Sequence, residues 1–275
     1  MTKKEFKNFR CSRKALTIPV TYLILFASLL AIISITYGFA ITKINARGAL
    51  LKVSMAKQNM QALDEAVHSV AWNFGASKSV YMEDCGGNFK TDPAAKSLII
   101  NLTDGQTFSD IVFNSSLGKA FYELEASTES QEGLFIRGDS RAIINQSAST
   151  MTQLYFARGE NAQQLILYYR PTATALTIGT SNGKPLNLIR IYIVSLNCSQ
   201  TLTLSGSFYI KISALNVTST SWLYEFNSSV SSLALKAVSD ETQNTVWLPI
   251  TTSEEGAFVK LEILICYIKI QKVTI

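Results

Sequence analysis

A single histidine, His68, stands in a chain of 275 residues, and that scarcity removes most of the chemistry imidazole supports. A Ser-His-Asp site needs its base beside a nucleophile, and no motif sets a serine or cysteine against His68. A surface or packing histidine is expected. Neither G-x-G-x-x-G nor G-x-x-x-x-G-K-[ST] occurs, so nucleotide binding has no support. The four cysteines include no C-x-x-C pair, which argues against a zinc or thioredoxin-type site. No repeat of fixed period is present, and the only biased stretch is a polar one at 127–132. The sequence therefore leads to no catalytic residue, no metal ligand and no cofactor, and not to an enzyme.

Charge is also scarce, at 16% against 47% hydrophobic residues. The hydrophobic share is inflated by one N-terminal run, and the remainder is rich in Ser and Thr. Much of the net charge of +5 comes from Lys3, Lys4, Lys7, Arg10, Arg13 and Lys14, all upstream of that run. Such a cluster orients a membrane segment with its basic end in the cytoplasm. Nucleic-acid binding would need a basic face on the folded domain, and none is visible, so no nucleic-acid partner is expected.

From Leu16 to Ile41 no residue is charged. A run of about 26 residues exceeds the roughly 20 that cross a hydrocarbon core as a helix, and the about 7 to 15 of a cleaved secretory signal. Ala27, Ala31, Ser34 and Gly38 recur at spacings of four, three and four, forming a small-residue face suited to close helix packing. Ala46, Leu50, Val53, Met60, Leu63, Val67 and Phe74 continue a helical spacing, and Gly75 offers a stop. One helix over roughly Pro19 to Phe74 is expected, its second half amphipathic and in need of an apolar surface.

From Ser97 onward, short runs rich in Val, Ile, Tyr, Phe and Thr are broken by Gly, Asn, Asp and Ser, which is the pattern of strands. Examples are Ser97 to Leu102, Thr107 to Phe113, Gln163 to Arg170, Leu186 to Leu196, Ser207 to Leu215 and Ala257 to Ile270. Asn182-Gly183 between two such runs is a hairpin signal. The C-terminal run is interrupted by Lys260, Glu262, Lys269 and Lys272, so it reads as a core strand and not as a second span. The expected class is α+β: a basic leader (1–15), a transmembrane and membrane-proximal helix (16–75), and an antiparallel β-sandwich-like extracytoplasmic domain (76–275).

Three cysteines, Cys85, Cys198 and Cys266, lie beyond the apolar run, while Cys11 lies before it. Either Cys198 and Cys266 form one bridge, or all three are small buried apolar residues. Glu83-Asp84 and Glu254-Glu255 are paired carboxylates, but strand neighbours point to opposite faces, so solvated loops are expected. Asn-x-Ser/Thr acceptors stand at Asn101, Asn114, Asn145, Asn197, Asn216 and Asn227, all in the β-rich part, as in a glycosylated surface domain.

The segment Ser12-Arg13-Lys14-Ala15-Leu16-Thr17-Ile18-Pro19-Val20 resembles the class III signal sequence of type IV pilins, and most closely that of archaeal pilins and archaellins. Bacterial pilins usually carry Gly where Ala15 stands and Glu where Val20 stands, which points the resemblance to the archaeal side. The resemblance spans about the first seventy residues. It implies that Arg13 and Lys14 are recognised by a prepilin peptidase, which cuts between Ala15 and Leu16 and leaves the apolar helix in place. It also implies a single-pass protein of the cell membrane, N-terminus cytoplasmic, that oligomerises with itself or with other pilin-like subunits in a surface filament. The alternative is an anchored ectodomain that never polymerises and acts as an adhesin or envelope-binding protein.

Overall fold

The computed structural model describes residues 14–124, 132–145, 150–159, 162–240 and 242–273, with backbone alone for 14–18. The leader up to Arg13, with Cys11, and most of the polar stretch at 127–132 lie outside the described residues. The chain divides into two compact units, Met1–Leu50 and Leu51–Ile275.

The described part of the first unit is one helix, the start of α1 (Lys14–Val70). Pro19 is the sixth residue of the helix, just past the first turn, so its ring removes one i→i−4 hydrogen bond there. Every side chain from 19 to 47 is exposed, including Leu23, Phe26, Ile32 and Ile35. The hydroxyls do not break the apolar character, because they fold back onto the helix's own carbonyls. Ser28 Oγ donates to Leu25 O at 2.8 Å, Thr36 Oγ1 to Ile32 O at 2.6 Å and Thr42 Oγ1 to Phe39 O at 2.8 Å. Polar groups satisfied within the segment remove the main obstacle to apolar surroundings. By length and composition α1 suffices to cross a membrane.

The second unit opens with the rest of α1 and continues as strands. In chain order these are β1 (Ser77–Met82), β2 (Asn88–Asp92), β3 (Ser97–Thr103), β4 (Ser109–Ser116), β5 (Lys119–Leu124), β6 (Phe135–Arg137), β7 (Ile144–Asn145) and β8 (Thr152–Arg158). They are followed by β9 (Gln163–Tyr169), β10 (Thr172–Ser181), β11 (Lys184–Ser195), β12 (Leu202–Ser205), β13 (Phe208–Phe226), β14 (Ser232–Ser239), β15 (Thr242–Pro249) and β16 (Ala257–Lys272). They form three sheets, ordered β1-β13-β16-β11-β10-β7, β12-β2-β5-β9-β8-β6 and β15-β14-β3-β4.

Two cores sit on opposite faces of the first sheet. In the first, Met60, Leu63 and Val67 of α1 meet Ile210, Ile212, Cys266, Ile268 and Ile270, with Phe89, Tyr122 and Phe156 from the second sheet. In the second, Ile189, Ile191, Val259, Leu261 and Ile263 pack with Leu98, Ile100, Leu233 and Leu235 of the third sheet. Strand side chains alternate between faces. Even-numbered Cys266, Ile268 and Ile270 of β16 therefore serve one core, and odd-numbered Val259, Leu261 and Ile263 the other. On β13 the register shifts between Ala214 and Asn216. The extra residue turns the strand over, so even-numbered Ile212 and Phe226 reach different cores.

The sandwich is not wholly antiparallel, which corrects the expected class. Leu186 to Ser195 of β11 run parallel to Phe258 to Tyr267 of β16, and β10 pairs with β7 in parallel too. Parallel neighbours need a long crossover, and β12 to β15 supply it. The Asn182-Gly183 hairpin forms as expected between β10 and β11, with φ of 50° and 81°. That pair of left-handed residues is what a two-residue hairpin loop demands, and Gly183 meets the demand without a Cβ penalty.

The helix ends earlier than its spacing implies. Ala71 N–H still bonds to Val67 O at 2.8 Å, but Trp72 has φ of 67° and Asn73 N–H reaches only to Val70 O. Trp72 N–H donates to the buried Cys266 sulfur at 3.4 Å instead. Phe74 is consequently 77% exposed and Ala46 and Leu50 are exposed as well, so the buried apolar residues of the helix are Ala56, Met60, Leu63, Ala66, Val67 and Val70.

Candidate functional sites

The strongest polar constellation lies where α1 meets the second sheet. Asp64 sits one turn from Met60 on the buried stripe, and its side chain is fully inaccessible. An ionised carboxylate in that position must be paired and hydrogen-bonded. Arg137 Nη1 on β6 lies 2.6 Å from Oδ2, while Thr152 Oγ1 and Tyr169 OH donate to Oδ1 at 2.8 and 3.0 Å. His68 Nε2 stands 3.3 Å from the same oxygen and 2.8 Å from Thr152 Oγ1. Burial alone would raise the Asp64 pKa. The hydrogen bonds from His68 and Thr152, the charge of His68 and the bond from Arg137 outweigh it and hold the carboxyl below its usual value. Burial, with Asp64 alongside, pushes the Tyr169 phenol well above its usual value.

His68 is therefore part of a structural clamp, half-exposed at its edge, which agrees with the surface or packing residue expected. The geometry is not a relay, because Nε2 alone faces both Asp64 and Thr152, and the Thr152 hydroxyl is committed to the carboxylate. A relay would use both ring nitrogens. His68→Gln keeps a donor and an acceptor within reach. It is expected to lower unfolding free energy by about 1 kcal/mol or less, the worth of one ordinary hydrogen bond, read from denaturant titration.

Two further clamps repeat this logic. Fully buried Arg170 forms an ion pair with Asp139 and donates to the Thr150 carbonyl at 3.0 Å. Hydrogen bonds from Arg141 and Arg170 hold the Asp139 carboxyl far below its usual value. Asn59 on α1 fixes the chain after β1, with Nδ2 donating to Glu83 O at 2.8 Å and Oδ1 accepting from Glu83 N–H at 3.1 Å. Sequence reasoning passed over Asp64, whose one visible signal is a carboxylate inside an apolar helical stripe.

The residues singled out from sequence do not converge on one site. Lys14, Ala15 and Leu16 lie in the first turn of α1, and Arg13 is outside the described residues. Ala27, Ala31, Ser34 and Gly38 are all exposed on α1, and a Cβ added at Gly38 would meet nothing within 4 Å. Of the glycosylation acceptors, Asn114, Asn216 and Asn227 are exposed, whereas Asn101, Asn145 and Asn197 are half-buried. The Asn101 amide bonds to Ser109 Oγ at 2.8 Å, and Asn227 Oδ1 accepts from Lys184 at 2.9 Å. Glu254 and Glu255 lie exposed in the turn before β16, and Glu83 and Asp84 are exposed after β1.

The pairing of Cys198 with Cys266 does not form. Cys266 is buried in mid-strand on β16, but Cys198 lies in an exposed turn past the end of β11, its sulfur 3.4 Å from Asn197 Oδ1. The expectation that all three are buried fails at Cys198 alone, since Cys85 and Cys266 are buried and free. Burial pushes both of those thiols up in pKa. Among the described residues no group of three or more His, Cys, Asp or Glu is placed to hold a metal. No protein-family model matches the chain, no curated protein aligns with it, and no solved structure matches its fold.

Proposed function

We propose that the chain is a pilin-like structural subunit of the cell surface and not an enzyme. Its helix is held in the membrane until a prepilin peptidase trims the leader, and then packs with like subunits. The observation that carries this reading is the continuity of α1. Its uncharged segment begins at Leu16, directly after the basic pair and small residue Arg13-Lys14-Ala15, is uncovered from Pro19 on, and the same helix ends inside the core of a β-domain. A secretory signal or a simple anchor has no need to build its far end into the folded domain. Small residues at 27, 31, 34 and 38 allow helices to approach closely where lipid is replaced by protein. The exposed acceptors Asn114, Asn216 and Asn227 suit a glycosylated outer surface. Abundant major pilins are often smaller than this β-domain, which favours a minor subunit or a pseudopilin. The same size also suits the second reading, an anchored ectodomain that binds an envelope or host component without polymerising.

Topology is the first test. A maleimide that cannot cross membranes, applied to intact cells, is expected to label Cys198, which is exposed, while the buried Cys85 and Cys266 react only after denaturation. Cys11, carried only by the uncut precursor, is expected to stay unlabelled until the cells are opened. Labelling of Cys11 on intact cells, with Cys198 protected, would reverse the orientation.

A further inference from the structure

A cavity of about 580 Å³ opens at the corner between the β12–β13 turn and the ends of β1 and β16, within the range of small-ligand sites. Its wall carries Tyr81 and Tyr209, which face each other across β1 and β13 with ring centroids 4.9 Å apart and planes tilted by 44°. They are 47% and 41% exposed. A cross-strand aromatic pair strengthens a sheet wherever it occurs, so the pair alone proves nothing. What surrounds it is more specific. Thr203, Ser205 and Ser207 add hydroxyl-bearing residues to the lining and Lys272 an ammonium, and among the described residues no Asp or Glu lines the cavity. Asp84, whose N–H donates to the Ser207 hydroxyl at 3.2 Å, turns its carboxylate to the Gly86 N–H at 2.8 Å.

The charge extends beyond the cavity. Tyr209, Lys211 and Ser213 share the outer face of β13 by strand alternation. Gln271 and Lys269 of β16 stand opposite Lys211 and Ser213, and Ser79 and Ser77 of β1 complete the rows. Among the described residues, Lys211, Lys269 and Lys272 have no carboxylate partner within 4 Å, in contrast to Lys90, Lys96 and Lys184. Two half-exposed aromatic rings, three hydroxyl-bearing residues and the Lys272 ammonium at the cavity, with Lys211 and Lys269 on the adjoining outer face, answer one chemistry: a ring with C–H faces, several hydroxyls and an anionic substituent.

We propose that this corner binds an acidic saccharide, with a pyranose ring against Tyr81 and Tyr209 and its carboxylate near Lys272, which lines the cavity at the end of β16. A nucleic acid fits less well, because the tilted rings leave no parallel slot for a base and the basic patch is short for a phosphate track. The proposal rests on the β-domain alone and stands whether or not the chain assembles.

The test uses the full chain in detergent micelles, titrated calorimetrically with a hexagalacturonate, with cellohexaose as the neutral counterpart and with a single-stranded oligodeoxynucleotide. The hexagalacturonate is expected to bind about tenfold or more tighter than either comparison ligand, and Tyr209→Ala and Lys272→Ala to weaken it about tenfold each, that is by about 1.4 kcal/mol. Tyr209→Phe keeps the ring and is expected to stay within about threefold of the unaltered chain, which separates loss of stacking from loss of fold. Trp247→Ala, an exposed aromatic on β15, is expected to change nothing. The proposal is overturned by absence of hexagalacturonate binding, by binding indifferent to Tyr209→Ala and Lys272→Ala, or by equal or tighter binding of cellohexaose or the oligonucleotide.

Discussion

Asp64→Ala is expected to destabilise the β-domain by about 3 kcal/mol, toward the lower end of the 3–5 typical for breaking a buried pair from one side. The reasoning runs through the groups left behind. Tyr169 loses the acceptor of its hydroxyl while buried, at the desolvation penalty of an unsatisfied donor, and Thr152 keeps only the contact with His68 Nε2. Arg137 is 36% exposed and turns to water, which keeps the cost from the top of the range. The contacts that suffer join α1 to β6, β8 and β9, so the first consequence is loosening of the helix from the second sheet. Denaturant unfolding of the full chain in micelles reads the effect. A loss below about 1 kcal/mol would show that the clamp is dispensable.

Acid gives the same clamp a second signature. The folded carboxyl titrates below the usual 3.8, so the folded state favours the ionised form. Its contribution to stability is fully present above that value and is lost as pH falls through the lower folded one. Below pH 3.8 the unaltered chain is therefore expected to lose stability more steeply than Asp64→Ala, which has no such contribution to lose.

Ala15→Phe is expected to abolish processing altogether, and Lys14→Gln to reduce it severely. A peptidase that requires a small residue before the cut excludes a benzyl group by size, and one that reads a basic pair loses half of it when Lys14 is neutral. The physical consequence follows from the leader's charge. Lys3, Lys4, Lys7, Arg10, Arg13 and Lys14 each contribute about 1 kcal/mol of attraction to an anionic cytoplasmic surface, and carrying one to mid-membrane costs on the order of 3 kcal/mol. An uncut chain is thus held with its helix end at the inner surface, while the cut chain keeps no charged side chain before Lys43 and only the new α-ammonium of Leu16. Both variants are expected to accumulate in the membrane fraction at the uncut mass. Normal processing of Ala15→Phe would remove the pilin-like reading and leave the anchored ectodomain.

What was legible in the sequence was local. An uncharged run fixes a helix by itself, Asn182-Gly183 fixes a turn by itself, and the alternation in Leu186 to Leu196 and Ala257 to Ile270 marks strands within one or two residues of β11 and β16. What joins distant segments was not. Asp64 finds Arg137, Thr152 and Tyr169 at separations of 73, 88 and 105 residues, and no local pattern on either side announces the match. The parallel pairing of β11 with β16 is equally remote, as Arg190 and Glu262 lie 72 apart. Short strands such as β7 and β12 carry too few residues for a period. The helix end was misplaced for a similar reason, since Phe74 keeps the spacing but Trp72 is drawn to Cys266, far along the chain. The saccharide corner assembles from β1, β12, β13 and β16, and only Tyr81 and Tyr209, paired across strands, give it a centre.

The central claim is that a charged leader is removed from a retained apolar helix, and N-terminal sequencing with intact-mass analysis of the protein from its native membrane and from sheared surface material tests it most directly. The account predicts a mature chain that begins at Leu16 in both fractions, with the mass of residues 1–15 missing. A chain that retains Met1 to Ala15, or one cut on the far side of the apolar run after Ala40, would contradict it.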